Sequence, residues 1–198
     1  MTIRFASLAL ALVLAVAAPA AAYDAKQTFR KGAVVISAEA GYGEQSNIED
    51  HRFQTGFEFW NAGVRFSMLP FEPTSWGPMS GSLEIGLEPF YQRYTDPTGA
   101  FFGGLGAVFR YHFLELGRVV PYVELFAAAG GTDLESREID SAFTFLLQGG
   151  PGLSVFVTDH TAIYAGYRFQ HVSNGNTSRP NRGFEAHTGV AGVSIFFK

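Results

Sequence analysis

The sequence predicts an all-β fold: eight antiparallel strands closed in up-and-down order into a barrel that spans a membrane. Three observations predict it. Apolar and polar residues alternate in period two over many segments, and after Ala22 no segment holds a helical apolar stripe for long. One face of these segments is large and apolar, with aromatic residues near the strand ends. Phe101 and Phe102, Tyr91 and Tyr94, and Phe196 and Phe197 are placed like the interfacial girdles of an outer-membrane barrel. The opposite face carries glycines and a few charges, which suits a narrow interior filled by side chains.

Composition narrows the function classes. The chain has 198 residues, which suits one domain, and its 15% aromatic content excludes a disordered chain. The absence of Cys excludes a disulfide scaffold, a thiolate zinc site and a Cys nucleophile. A net charge of −4 argues against nucleic acid as a partner. Mean hydropathy is +0.10, yet no late stretch reaches the roughly 18 unbroken apolar residues of a spanning helix.

Residues 1–22 are expected to be a signal peptide. Arg4 supplies the positive start, Leu8 to Val16 the apolar run, and Ala20-Ala21-Ala22 after Pro19 the small-residue cleavage site. Residues 23–198 then form the barrel.

Eight alternating runs follow, at 32–43, 52–67, 82–94, 100–113, 119–130, 142–158, 161–173 and 184–197. Turn-rich segments separate them, including Gly43 to Asn47, Asp96 to Gly99, Gly130 to Asp133 and Asn174 to Asn176. In the third run Leu83, Ile85, Leu87, Pro89 and Tyr91 share the apolar face, and Glu84 and Glu88 face the other way. In the fourth, Leu105, Ala107 and Phe109 oppose Gly104, Gly106 and Arg110. Phe143, Phe145 and Leu147 mark the apolar face of the sixth run. Ile163, Ala165, Tyr167 and Phe169 mark it in the seventh, and Val193, Ile195 and Phe197 in the eighth. Strands of ~9–11 residues crossing a bilayer at ~45°, plus their connections, fit about 22 residues per unit. Glu84, Glu88, Arg110, Glu124 and Arg168 are expected to pair with one another inside the barrel. An even strand number puts both termini at one end, expected to be the periplasmic one, so the connection from Asn174 to Gly183 faces the cell exterior.

The informative anomaly is in the last hairpin. His171 and Ser173 continue the apolar face of the seventh run, and Glu185 opens that of the eighth. All three therefore point outward, where ionisable groups are costly at mid-depth and cheaper at the interface. From Glu185 to the last residue, Lys198, a rise of about 3.3 Å per residue at a tilt near 40° gives roughly 33 Å, more than an apolar band of ~25 Å. Glu185 thus sits at the outer rim. A hairpin pairing Glu185 with His171 brings together a hydroxyl, an imidazole and a carboxylate, the parts of a nucleophile–base–orienter set. Asn174 follows the nucleophile and can donate to an oxyanion. A polar rim on an ordinary barrel has the same parity, so parity leaves both readings open. His187 is a competing base one pair lower; His51, His112 and His160 are expected to be structural or solvated.

Tyr167-Arg168-Phe169-Gln170-His171-Val172-Ser173-Asn174-Gly175, followed by Pro180-Asn181-Arg182-Gly183-Phe184-Glu185, resembles the lipid A 3-O-deacylase family (PagL type). That family has H-x-S-N near the end of strand 7 and a Glu twelve residues after the Ser, the spacing of Ser173 and Glu185 here. The resemblance implies an outer-membrane serine esterase of a Gram-negative bacterium that removes the 3-O-linked acyl chain of lipid A. It implies Ser173 as nucleophile, His171 as base, Glu185 as orienter, Asn174 as oxyanion donor and a second recurrent Asn at Asn181. No metal or cofactor is required. Lipopolysaccharide and outer-membrane lipid are the implied partners, nucleic acid is not, and a second copy of the chain is a further candidate. Arg179 and Arg182, in the outer connection, suit lipid A phosphates. Tyr167, Phe169 and Ala165 are candidates for the acyl-chain path. The alternative is a non-enzymatic small outer-membrane barrel that anchors or adheres.

Overall fold

The computed structural model describes residues 25–48, 54–114 and 116–198. The expected signal peptide and His51 lie outside the described residues. A one-turn helix, α1 (Ala25–Thr28), precedes eight strands: β1 (Val34–Gln45), β2 (Glu58–Met68), β3 (Gly81–Asp96), β4 (Ala100–Phe113), β5 (Val119–Thr132), β6 (Phe143–Phe156), β7 (Thr161–Ser173) and β8 (Phe184–Phe197). Each strand pairs antiparallel with its neighbours in sequence, and β1 pairs with β8 to close the barrel. Closure leaves no sheet edge unpaired, which is what a β-structure needs in lipid.

The barrel is inside out relative to a water-soluble protein. Ile36, Phe66, Leu87, Leu105, Phe109 and Ile195 are exposed on the outer face. Glu39, Arg65, Glu84, Glu88, Arg110, Glu124 and Arg168 are buried within. Only a hydrocarbon exterior makes that distribution stable, because exposed apolar area of this extent is unfavourable in water.

The interior has three layers. Near the end carrying the termini, Phe29 follows α1 into the barrel mouth, and its ring lies 5.0 Å from Phe196 and 4.7 Å from His112. At the far end Phe57, Tyr94 and Phe184 pack together, with Phe57 5.1 Å from Phe184. Charges fill the middle. Arg65 reaches Glu88 at 2.8 Å, Glu124 at 2.9 Å and Glu39 at 3.5 Å. Arg110 and Arg168 each meet Glu124 at 2.6 Å, Arg168 also clamps Glu39, and His112 meets Glu84 at 2.7 Å. The expected pairing of interior charges is present. Arg65 and Glu39, which the alternation alone did not single out, are central to it.

Strands β4, β7 and β8 have the expected limits. Four other expectations are corrected. Gly43 to Gln45 belong to β1, not to a turn: a Cβ on Gly43 would lie 2.5 Å from the Phe59 ring, so this glycine serves close packing inside a strand. Residues 54–57 precede β2 instead of belonging to it, and Gly130 to Thr132 belong to β5. Of the expected girdle, Tyr91, Phe101 and Phe197 lie on the outer face, whereas Tyr94, Phe102 and Phe196 are buried in the interior. Neighbouring residues of a strand point to opposite faces, so adjacent aromatics cannot both be girdle members.

Candidate active site

Register places the site. β7 pairs with β8 so that His171 lies across from Glu185, and β6 pairs with β7 so that Phe145 lies across from Ser173 and Leu147 across from His171. All are outward-facing positions. His171 Nδ1 and Glu185 Oε1 are 2.9 Å apart, with side chains 42% and 21% exposed. A carboxylate only accepts, so this contact takes Nδ1 as the donor, and in the neutral imidazole Nε2 is then the acceptor. That is the tautomer a general base requires.

Ser173 lies two residues beyond His171 on the same face, at the end of β7, and Gly183 immediately precedes β8. No hydrogen bond joins its hydroxyl to His171 among the described residues; such bonds often tighten only once substrate is bound. Gly183 has a φ of +68°, and a Cβ there would lie 3.0 Å from His171 Cε1 and 3.3 Å from Nε2. The Cε1–Nε2 edge of the imidazole therefore lies against Gly183, and the missing side chain there makes room for it.

The β1–β2 connection holds Glu185 from the other side. Ser46 N–H donates to its carbonyl (2.9 Å), Ile48 N–H to Oε2 (3.3 Å), and its own N–H donates to Asn47 Oδ1 (3.2 Å). Asn47 and Ile48 were not singled out by the sequence, since nothing local relates residues 137 or 138 positions from Glu185. A cleft of about 200 Å³ beside Glu185 is lined by Asn47, Ile48, Arg182 and Gly183.

Asn174 is placed differently from its expected part. It is fully buried, its amide donates to Ser178 Oγ (2.9 Å), Ser178 O (3.1 Å) and Pro180 O (3.3 Å), and its Oδ1 accepts from Asn176 N–H (3.0 Å). Parity explains this: the residue after an outward Ser173 faces inward. Asn181 braces the same turn. Its Oδ1 accepts from Asn174 N–H (2.8 Å), and its Nδ2 donates to Asn176 Oδ1 (3.1 Å). Arg179 and Arg182 are exposed and make no ion pair among the described residues.

The competing histidine is engaged elsewhere. His187 Nδ1 shares a 2.5 Å hydrogen bond with the Tyr167 hydroxyl, and the rings stack at 5.8 Å. His171, not His187, holds Glu185. His112 is buried against Glu84, and His160 is exposed in the β6–β7 turn. Tyr167 is exposed, and so are Phe143, Phe145 and Leu147 on β6. These residues form an apolar wall on the β6–β7 side of the site.

Fold and site together define a membrane-spanning eight-stranded barrel with an acid–base pair on its outer surface at one rim. The chain belongs to the lipid A 3-O-deacylase (PagL) family, whose profile matches residues 58–194, the span that holds His171, Ser173 and Glu185. Among solved structures, it is similar to the outer membrane enzyme PagL at 18% identity and a TM-score of 0.59, over 80% of this chain and 97% of that one. It is also similar to neisserial surface protein A, at 20% identity and a TM-score of 0.57, over 84% of this chain and 100% of that one. Ail of Yersinia pestis aligns at 14% identity and a TM-score of 0.50, over 84% of this chain and 99% of that one. At these identities the likeness is one of fold. No curated protein matches the sequence.

Proposed function

We propose that the protein is a serine esterase of the Gram-negative outer membrane that hydrolyses the 3-O-linked acyl chain of lipid A. The observation that carries this reading is the 2.9 Å His171–Glu185 bond on the outward face, within a chain of this family. A fixed imidazole–carboxylate pair beside a serine is costly on a lipid-facing wall and useful where an ester must be reached from within the leaflet.

Ser173 Oγ attacks the ester carbonyl as His171 Nε2 takes its proton. Glu185 stabilises the resulting imidazolium. The tetrahedral intermediate collapses, the imidazolium returns the proton to the departing sugar hydroxyl, and the acyl chain stays on Ser173. Water activated by His171 then releases the fatty acid and restores Ser173. Asn174 remains the proposed oxyanion donor on one condition: its amide must exchange Ser178 and Pro180 for the developing charge. Arg179 and Arg182 are the proposed phosphate contacts, with Arg182 on the cleft beside Glu185. Asn181 supports them through the turn. Phe145, Leu147 and Phe169 flank the scissile bond and receive the acyl chain. The filled interior disfavours transport through the barrel.

A phosphonate that traps activated serines tests the nucleophile. Labelling of the peptide that holds Ser173, at a rate that falls sharply in His171→Asn, supports the reading. Labelling indifferent to His171, or none, favours the anchoring or adhesive alternative. Gly183→Ala is expected to lower turnover about 10²-fold by pushing the His171 ring off its line, with the barrel still folded. Unchanged turnover would show that the ring does not depend on the open space at Gly183.

A further inference from the structure

Glu185 is not held by its own hairpin alone. Three of its four polar contacts come from the consecutive residues Ser46, Asn47 and Ile48. Ser46 and Asn47 hold its main chain and Ile48 N–H holds its carboxylate, so the placement of Glu185 depends on where the β1–β2 connection sits. Gln45 sets that position. Its Nε2 donates to Asn47 Oδ1 (3.1 Å), and its Oε1 accepts the N–H groups of Gly56 (2.7 Å) and Phe57 (3.0 Å) at the returning end of the same connection.

The same Nε2 donates to Glu138 Oε1 at 3.0 Å. Glu138 belongs to the β5–β6 connection and is buried. Its carboxylate also takes Thr55 N–H (2.7 Å) and Thr55 Oγ1 (2.6 Å). Burial raises its pKa, but these donors outweigh burial and hold the group below the usual carboxylate range. Its main-chain carbonyl accepts Arg182 N–H at 2.8 Å, three residues before Glu185. One ionised side chain thus ties the β1–β2 connection, and its backbone ties the approach to β8.

We propose that Glu138 is a positioning residue for the Glu185–His171 pair, acting through Gln45 and Asn47. The proposal rests on the reading of Glu185 as the orienting acid. Charge-assisted hydrogen bonds are stronger and stiffer than neutral ones. A carboxylate that gathers three donors from Gln45 and Thr55, at the two ends of the β1–β2 connection, fixes its neighbours more firmly than an amide would. The competing account is that Glu138 only staples the loops and has no bearing on the pair.

The test uses the full-length barrel in micelles. Glu138→Gln has the same shape, and the Thr55 hydroxyl can turn to accept from the new amide. The Nδ1–H proton of His171, one of five histidines, is followed by NMR in wild type and variant. Its resonance is expected to move upfield in Glu138→Gln, because a less fixed carboxylate gives a longer and weaker Nδ1–H···Oε1 hydrogen bond. On lipid A, kcat is expected to fall about tenfold with KM little changed. In a Glu185→Ala background, Glu138→Gln should then change neither quantity. Asn47→Ala should reproduce the His171 shift, which keeps the test open if Glu138→Gln folds poorly. An unmoved His171 Nδ1–H resonance in both variants overturns the proposal. So does an equal loss of turnover with and without Glu185, the result expected of a loop staple. The hydrogen-bond resonance needs no turnover, so a chain inert toward lipid A would sink the esterase reading and leave the positioning role standing.

Discussion

Replacing His171 with Asn is expected to lower turnover by about 10⁴-fold or more while leaving the barrel folded. Asn can still donate to Glu185, so the rim keeps most of its hydrogen bonding. It cannot accept the serine proton or return it to the leaving hydroxyl. The fold is spared because His171 points outward, 42% exposed, and takes no part in the interior charge cluster. The checks are kinetic assay of the purified protein and heat-modifiable gel mobility. Turnover within tenfold of wild type would remove His171 from the mechanism and return attention to His187. Loss of both turnover and heat modifiability would make His171 a structural residue.

The second large effect concerns the interior. Arg65→Met is expected to destabilise the barrel by about 3–5 kcal/mol, the range for breaking a buried ion pair from one side. Arg65 is 1% exposed and lies within 3.5 Å of Glu39, Glu88 and Glu124. Removing it leaves three carboxylates around an apolar side chain, with Arg168 and Arg110 as the remaining cations near them. Urea unfolding in lipid vesicles measures this. A midpoint that does not move would mean that the interior carboxylates do not depend on Arg65.

The barrel was legible because its physics is written residue by residue. Period two, polar interiors and outward apolar faces need no knowledge of tertiary contacts, and the limits of β7 and β8 follow from them. The candidate hairpin was legible for the same reason. His171, Ser173 and Glu185 are exceptions to a local rule, and register alone sets His171 across from Glu185. The errors came where one residue type serves two ends. Gly43 and Gly130 suit turns by residue type, whereas in the fold they allow close approach within strands. Tyr94 and Phe102 suit a girdle by composition, although parity turns them inward. The loop contacts that fix Glu185 were out of reach, because they join segments far apart in sequence through single hydrogen bonds that no periodicity records. The contacts that bury Asn174 are local, but they belong to an irregular turn that has no repeat to reveal them.

The central claim is that Ser173 removes an acyl chain from lipid A. The most direct measurement is the mass spectrum of lipid A from cells that express the wild type and, separately, Ser173→Ala. The account predicts loss of one hydroxyacyl chain with the wild type and intact lipid A with the variant, both proteins being present in the outer membrane. Intact lipid A in both would contradict it and favour the anchoring or adhesive barrel.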